Sequence, residues 1–395
     1  MKKYFLTLLL FTLLISGCSK INNDIKLLPT PEAVKIIPEA EPEPELEPIP
    51  IYTAENLLND IPIIGVREEK DGLYQSFLTG EWKDINVAKR RPLAVQIINV
   101  PLSLPQYGLS KAGIIYEAPV EGRVTRLLAF FEDYDALTRI GPVRGTRDYF
   151  VYEAMGKEAF ICNWGLAVPY CADLINSDKV DNVSAWNSGI ENGADEAYIR
   201  IQRPDYYMEF TGYLSIPGLN KALERLGYEE TYSDRFVPQF LFAADRTRVE
   251  YLDYPDAKRI FPGGKSSNAG GYGQGSEAPY FIYSAEDNLY YRYQYAQKMI
   301  DEMNDEQLSV SNVIFQYAHG EIRDRNDYLI FQVHGEGDAK IFTNGKVIAG
   351  SWSRYGGDRT PAKFYDLQGN EIVLNQGNTW ICLIWNDFKE FAVYS

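Results

Sequence analysis

GIIYEAPVEGRVTRLLAFFEDYDALTRIGPVRGTRDYF, residues Gly113 to Phe150, is the stretch from which the rest of the chain can be read. Two apolar runs, Ile114–Tyr116 and Leu127–Phe131, flank a polar segment carrying Glu117, Glu121, Arg123, Thr125 and Arg126. Their close spacing predicts a hairpin of strands 113–117 and 124–132, with Glu121-Gly122 at its tip. A Gly141-Pro142 turn then opens into Arg144, Arg147 and Asp148. Beyond it, Phe150, Val151, Ala154 and Met155 recur at helical spacing, which predicts a helix over 146–157. Strands and a helix therefore share this first folded part.

Working outward, Arg91-Pro-Leu-Ala-Val-Gln-Ile-Ile-Asn99 is rich in β-branched residues and bounded by prolines, and it predicts a strand. Residues 56–90 look irregular apart from a turn at Leu78–Glu81, and 101–111 reads as a loop containing Gln106. Residues 159–163 form a further short strand, followed by an aromatic loop with Trp164 and Tyr170. Pro217 to Gly227 predicts a short helix that Gly227 closes at its C-terminal cap. The glycine-rich run Gly263–Gly275 lacks the strand-loop-helix setting of a phosphate loop and reads as a connection. Strands separated by turns follow: 289–295, 312–317, 328–334, 340–342 and 380–385, with Asn344-Gly345 and Gln368-Gly369-Asn370 as turns. Two folded regions are expected, an N-terminal one over 56–235 and a smaller, mostly antiparallel β-rich one over 276–395. Residues 236–275 would connect them.

The N-terminus points to the compartment. Lys2 and Lys3 precede an apolar run, Tyr4 to Ile15, too short to span a bilayer, and Ser16-Gly17-Cys18 follows. This reads as a lipoprotein signal peptide over 1–17 whose lipobox makes Cys18 the acylated first residue of the mature chain. Acyl chains on that cysteine would anchor the protein to the lipid bilayer at the outer face of a bacterial cell membrane. Residues 18–55 form a stalk, in which PEAEPEPELEP (Pro38–Pro48) alternates proline with glutamate and cannot collapse into a core. Extended, it would reach on the order of 100 Å from the lipid.

Composition narrows the chemistry. A net charge of −16 argues against nucleic acid as a partner. Beyond Cys18 the cysteines are Cys162, Cys171 and Cys382. The first two could pair, and the third, in WICLIW, reads as a buried core residue. With only two histidines, His319 and His334, and no CxxC motif, the chain offers no zinc signature and little to build a Ser-His or Cys-His nucleophile from. No metal or cofactor motif is present, and no catalytic residue can be named.

Five arginines between Arg123 and Arg147 are out of character in so acidic a chain. One reading is an anionic-ligand site of Arg126, Arg144 and Arg147, oriented by Glu117, Glu121 and Asp148 and completed by Thr125, Asn99 and Gln106. Guanidinium forks suit phosphates and carboxylates, and an envelope protein meets both, in teichoic acid and peptidoglycan. The other reading is an internal Arg–acid network pinning strand to helix.

The residues resemble the YerB-like lipoprotein family, which carries paired N- and C-terminal domains of unknown function. The matching pieces include Ser76-Phe-Leu-Thr-Gly-Glu-Trp82, Arg91-Pro-Leu-Ala-Val95 with Asn99, Pro105 to Gly113, Ile115 to Ala118 with Glu121-Gly122, Thr125-Arg126, and Ile140 to Tyr149. Asn312-Val-Ile314, Trp352, Pro361 and Asn375 to Ile381 follow in the second part. The resemblance implies an α/β (α+β) fold, with sheets and helices in layers in the first domain, and no established activity. It also implies departures: Arg123 stands where the family usually has a second glycine. Cys162-Asn163-Trp164 and Pro204-Asp205-Tyr206 lack histidines common in relatives, so any acid–base chemistry those histidines perform there would be absent here. Three roles remain open. The first is an envelope binding module. The second is a glycopolymer phosphotransferase of the LytR-CpsA-Psr kind, by fold-level analogy, which would need a metal on Glu117 and Asp148. The third is a scaffold for an envelope protein.

Overall fold

The computed structural model describes residues 67, 69–122, 124–185, 189–204, 206–244, 248–263, 272–273 and 278–395. The expected signal peptide and stalk, with Cys18, as well as Arg123, Asp205 and most of the glycine-rich connection, lie outside the described residues.

One nine-stranded mixed sheet holds the molecule together. Its strands, in chain order, are β1 (Leu93–Asn99), β2 (Ile114–Val120), β3 (Val124–Phe131), β4 (Phe160–Cys162), β5 (Asn312–Ala318), β6 (Gly335–Thr343), β7 (Lys346–Arg354), β8 (Lys363–Asp366) and β9 (Thr379–Trp385). In space they run β8-β7-β6-β5-β9-β2-β3-β1-β4. The expected hairpin is present: β2 and β3 pair antiparallel from Ile114↔Phe130 to Val120↔Val124, and β1 adds antiparallel to β3. The last long strand of the chain, β9, inserts between β5 and β2 and is parallel to both. Each of its seven residues is buried, as expected for a strand covered on both faces. The sequence order thus has two parts, but the sheet does not break between them.

Each face of the sheet carries its own core. On one face Leu93, Val95, Leu127, Ala129, Phe315, Trp380 and Cys382 meet α3 (Ile216–Leu226) and Phe281 and Tyr290 of a second, six-stranded antiparallel sheet. On the other face Ile114, Tyr116, Leu128, Phe130, Ile381 and Leu383 meet α1 (Asp148–Met155) and α2 (Val168–Ile175). Helix α3 starts with Ser215 accepting from the Gly218 N–H and ends on Gly227 at φ 67°. The Asn344-Gly345 turn joins β6 to β7 with both residues at positive φ, 52° and 72°. A side chain at Gly345 would also strike the Tyr283 ring, 2.6 Å from where its Cβ would sit.

Three local expectations change. The irregular stretch before Arg91 contains a small hairpin, Leu73–Gln75 with Trp82–Asp84. The aromatic loop after Trp164 includes α2, which carries Tyr170 and has a proline in its first turn. Cys162 and Cys171 are free, buried thiols, as is Cys382, and the first two belong to the cores on opposite faces of the sheet, so they do not pair. Among the described residues no helix is long and apolar enough to cross a membrane.

Candidate functional site

Strand alternation divides the residues expected to form one site. Asn99 lies opposite Thr125, and Ile98 opposite Arg126, so Asn99 and Thr125 share one face while Arg126 points to the other. Glu117 is on the Asn99 face, and Gln106 reaches the same group from the loop before β2.

That first group is closed. Glu117 is fully buried and accepts from Thr125 Oγ1 at 2.7 Å, Trp380 Nε1 at 2.9 Å and Arg292 Nη2 at 2.9 and 2.8 Å. Asn99 Nδ2 donates to Thr125 Oγ1 at 2.8 Å and to Gln294 Oε1 at 3.1 Å. Gln106 Nε2 donates to the Ile98 carbonyl at 3.1 Å. The Arg292 guanidinium lies over the Phe281 and Trp380 rings, 4.7 and 4.6 Å from their centroids. Tyr272 covers the group and donates to the Glu117 and Leu383 carbonyls, each at 2.9 Å. The carboxylate is saturated by its neighbours; Glu117 and Asn99 tie the first part of the chain to the second, with Thr125 bridging the two and Gln106 bonded within the first part. Sequence reading missed Arg292, Gln294 and Trp380. A signal existed in Leu289-Tyr-Tyr-Arg-Tyr-Gln294: strand alternation puts Arg292 and Gln294 on the buried side with Tyr290.

The second group, on the α1 face, is partly open to solvent. Arg147 grips Glu121 with Nε, at 2.9 Å, and with Nη2, while its Nη1 donates to the Thr146 carbonyl at 2.7 Å. Arg144 Nη2 meets the exposed Glu209 at 3.0 Å. Asp148 accepts from Arg323 Nη2 at 2.7 Å, and Arg323 stacks on Tyr170. Arg126 is different. It donates Nη1 to the Gly145 carbonyl and pairs with no carboxylate among the described residues. Burial and the adjacent Arg147 charge, with Arg144 adding and Glu121 opposing, pull its pKa down to about 9 from 12.5. The ion pairs of Arg144, Arg147 and Asp148 fit a strand-to-helix network, whereas Arg126 is left as an excess cation within it.

The Glu121–Arg147 pair has a pH signature. Burial would raise the Glu121 pKa, but the hydrogen bond and charge of Arg147 more than offset this and hold it below the usual 4.5. The pair's stabilisation is therefore complete above about pH 4.5 and is lost as the pH falls through the lower folded value. In thermal melts from pH 7 to 2, Glu121→Gln should flatten the acid limb of the stability curve; an acid limb unchanged by the substitution would count against the pair.

Glu117 and Asp148 lie on opposite faces of the sheet, each held by an arginine, so one metal ion cannot take both. Among the described residues no group of three or more His, Cys, Asp or Glu side chains could hold a metal. The buried thiols have raised pKa values, Cys171 to about 12, because burial disfavours thiolate.

Comparison with known proteins finds two family matches in order along the chain. The N-terminal domain of the protein of unknown function DUF3048 matches residues 78–229, and its C-terminal domain matches residues 270–381. The chain is 27% identical over 311 residues to the Bacillus subtilis (strain 168) protein named "Putative lipoprotein YerB", covering 78% of this chain and 85% of that protein. The crystal structure of YerB from Bacillus subtilis aligns with a TM-score of 0.64 and 23% identity, over 78% of this chain and 96% of that one. At that identity the structural likeness speaks to the fold.

Proposed function

The chain belongs to the YerB-like DUF3048 family, with both domains in order, and on that premise we propose that it is a membrane-anchored envelope lipoprotein whose folded part binds an anionic group at Arg126 and Arg144. Two things support the anchor: the Ser16-Gly17-Cys18 lipobox after a short apolar run, and the lipoprotein name of the Bacillus relative. Anchoring through Cys18 would place the stalk and the folded part outside the cell membrane, within reach of teichoic-acid phosphates and peptidoglycan carboxylates. The observation that carries the binding reading is Arg126. A guanidinium held among other arginines without a carboxylate partner raises the free energy of the empty protein. An arriving anion relieves that cost and gains paired hydrogen bonds.

The test is a thermal-shift panel on the chain without its first 55 residues, against muropeptides, glycerol-phosphate oligomers and inorganic phosphate. A ligand at a hundredfold its dissociation constant should add about 2.7 kcal/mol of stability. Arg126→Met should abolish that shift while stabilising the empty protein by about 0.5–2 kcal/mol, as relief of strain at a binding site does. Because the cation's folded pKa is lowered, this gain should be present below about pH 9 and fade as the pH rises from there toward 12.5. Arg144→Ala should weaken binding with little change in melting temperature, since its Glu209 pair is solvent-exposed. An Arg126→Met protein that melts earlier and shows the same ligand response would make the arginine structural.

A further inference from the structure

We infer that a cleft at the other end of the central strands is a second binding site, for a single neutral sugar ring. The cleft has a volume of about 260 Å³ and is lined by Arg248, Asp287, Asn288, Asn344, Asn375 and Gln376, together with Ser311. Small-molecule sites run from about 300 Å³ upward, so this volume suits one ring and not a chain of them. Asn375 and Gln376 stand just before β9, whose first residue pairs with the first of β2; Glu121 follows the far end of β2, and Arg126 lies opposite Ala118 toward that same end. From Ile114 to Ala118, opposite Arg126, the strand runs on the order of 13 Å, and more to Glu121 at its end.

The lining argues for hydroxyl chemistry. Side-chain amides converge from three separate turns, and each is held on its inner side. Asn375 Nδ2 donates to the Val249 carbonyl at 3.0 Å and to Thr343 Oγ1 at 2.9 Å, and its Oδ1 accepts from the Val249 N–H at 2.8 Å. Asn344 Nδ2 donates to the Glu250 carbonyl at 3.1 Å, and Gln376 Nε2 to the Ala243 carbonyl at 3.0 Å. The Tyr283 hydroxyl bridges Asn288 Oδ1 at 2.8 Å and Asn344 Oδ1 at 3.3 Å. Gly345 leaves the room that lets Tyr283 sit there.

The Asn288 amide N–H groups, the Gln376 side-chain carbonyl and the Ser311 hydroxyl then have no protein partner among the described residues. The lining offers both donors and acceptors, which suits a ligand whose hydroxyls both give and take hydrogen bonds. The charges of Arg248 and Asp287 balance, so the cleft has no preference for an anion, in contrast to Arg126. Its walls also give a role to Asn375-Gln376, singled out in the sequence but unused by the anion site. Gly377 follows at φ 118°, and a Cβ there would fall 2.1 Å from Ser311 Oγ.

Saturation-transfer NMR on the full chain in detergent, with N-acetylglucosamine and glucose as probes, tests this. Saturable transfer with a dissociation constant on the order of 1 mM is expected for so small a ligand. Gln376→Leu should weaken it at least tenfold, and Arg144→Ala should leave it unchanged. Should Gln376→Leu not fold, Asp287→Ala, on an exposed loop, carries the same expectation. The inference is overturned by no transfer up to about 50 mM sugar, by undiminished transfer in the folded cleft variant, or by inorganic phosphate displacing the sugar.

Discussion

Glu117→Gln should cost about 3–5 kcal/mol of stability, the usual price of breaking a fully buried ion pair from one side. The substitution leaves the Arg292 charge in place, with no exposure to water and aromatic faces, the Cys382 thiol and Gln294 Oε1, all uncharged, near it. Nη1 and Nε of Arg292 already have no hydrogen-bond partner, so the carboxylate is its principal compensation. Glutamine keeps the shape of the side chain and can still accept from Trp380 or Thr125, which isolates the charge as the cause. Removing both charges in Glu117→Gln/Arg292→Met should recover most of the loss, because an apolar pair of similar volume often matches a buried ion pair. Urea denaturation of the two single variants and the double variant measures this directly. A single variant within about 1 kcal/mol of the parent would mean that water reaches the pair and that it does not hold the sheet together.

Much of the local fold is legible in the sequence because local chemistry decides it. The strands β1 and β3 come out within about two residues, since β-branched or apolar runs there end at prolines, glycines or charges. The Asn344-Gly345 turn and the Gly227 cap fall where residues that tolerate positive φ stand. Helix α2 is hidden because Pro169 falls in its first turn and aromatic residues flank and enter it. The position of β9 is a different matter. Its run of seven buried residues announces a strand covered on both faces, but nothing local says that one cover is β2, some 260 residues earlier. Parallel pairing over such a separation leaves no turn to read.

The site divides along the same line. Asn99, Glu117, Thr125 and Arg126 look like neighbours in the sequence, and the period of two in a strand was enough to separate Thr125 from Arg126. The real partners of Glu117, Arg144 and Asp148, which are Arg292 with Trp380, Glu209 and Arg323, come from distant segments, and a single sequence does not say which charge meets which. The pairs expected between nearby residues survive only in Glu121–Arg147, which the hairpin tip brings to the start of α1.

Expressed without residues 278–395, the first part of the chain should fail to fold. In the intact protein β9 covers one edge of β2 along Ile114, Ile115, Tyr116 and Glu117. Without it, β2 becomes an edge strand whose seven residues were all buried, with apolar side chains on both faces and no charge to discourage pairing with other chains except the now unpaired Glu117. Other losses follow. Asp301 accepts from the Gly108 and Ser110 N–H groups at 2.8 and 2.7 Å and fixes the loop that carries Gln106. Arg354 holds Glu153 of α1 at 2.9 Å, and its absence leaves Glu153 with only Lys157 inside the core. The later part fares no better alone, because Trp380, Ile381, Cys382 and Leu383 of β9 lose their β2 cover.

The two pieces produced separately should therefore be insoluble or lack near-ultraviolet circular dichroism. Produced together in one cell, they should co-elute as a one-to-one complex with the melting behaviour of a single unit. A monomeric 67–263 fragment with its own cooperative unfolding transition would show that the sheet tolerates its own division. The Glu117–Arg292 and Glu153–Arg354 pairs would then be contacts between finished domains. If instead neither piece folds alone, the two family domains are one cooperative structure, and a substitution in either will be felt at the arginines of the hairpin.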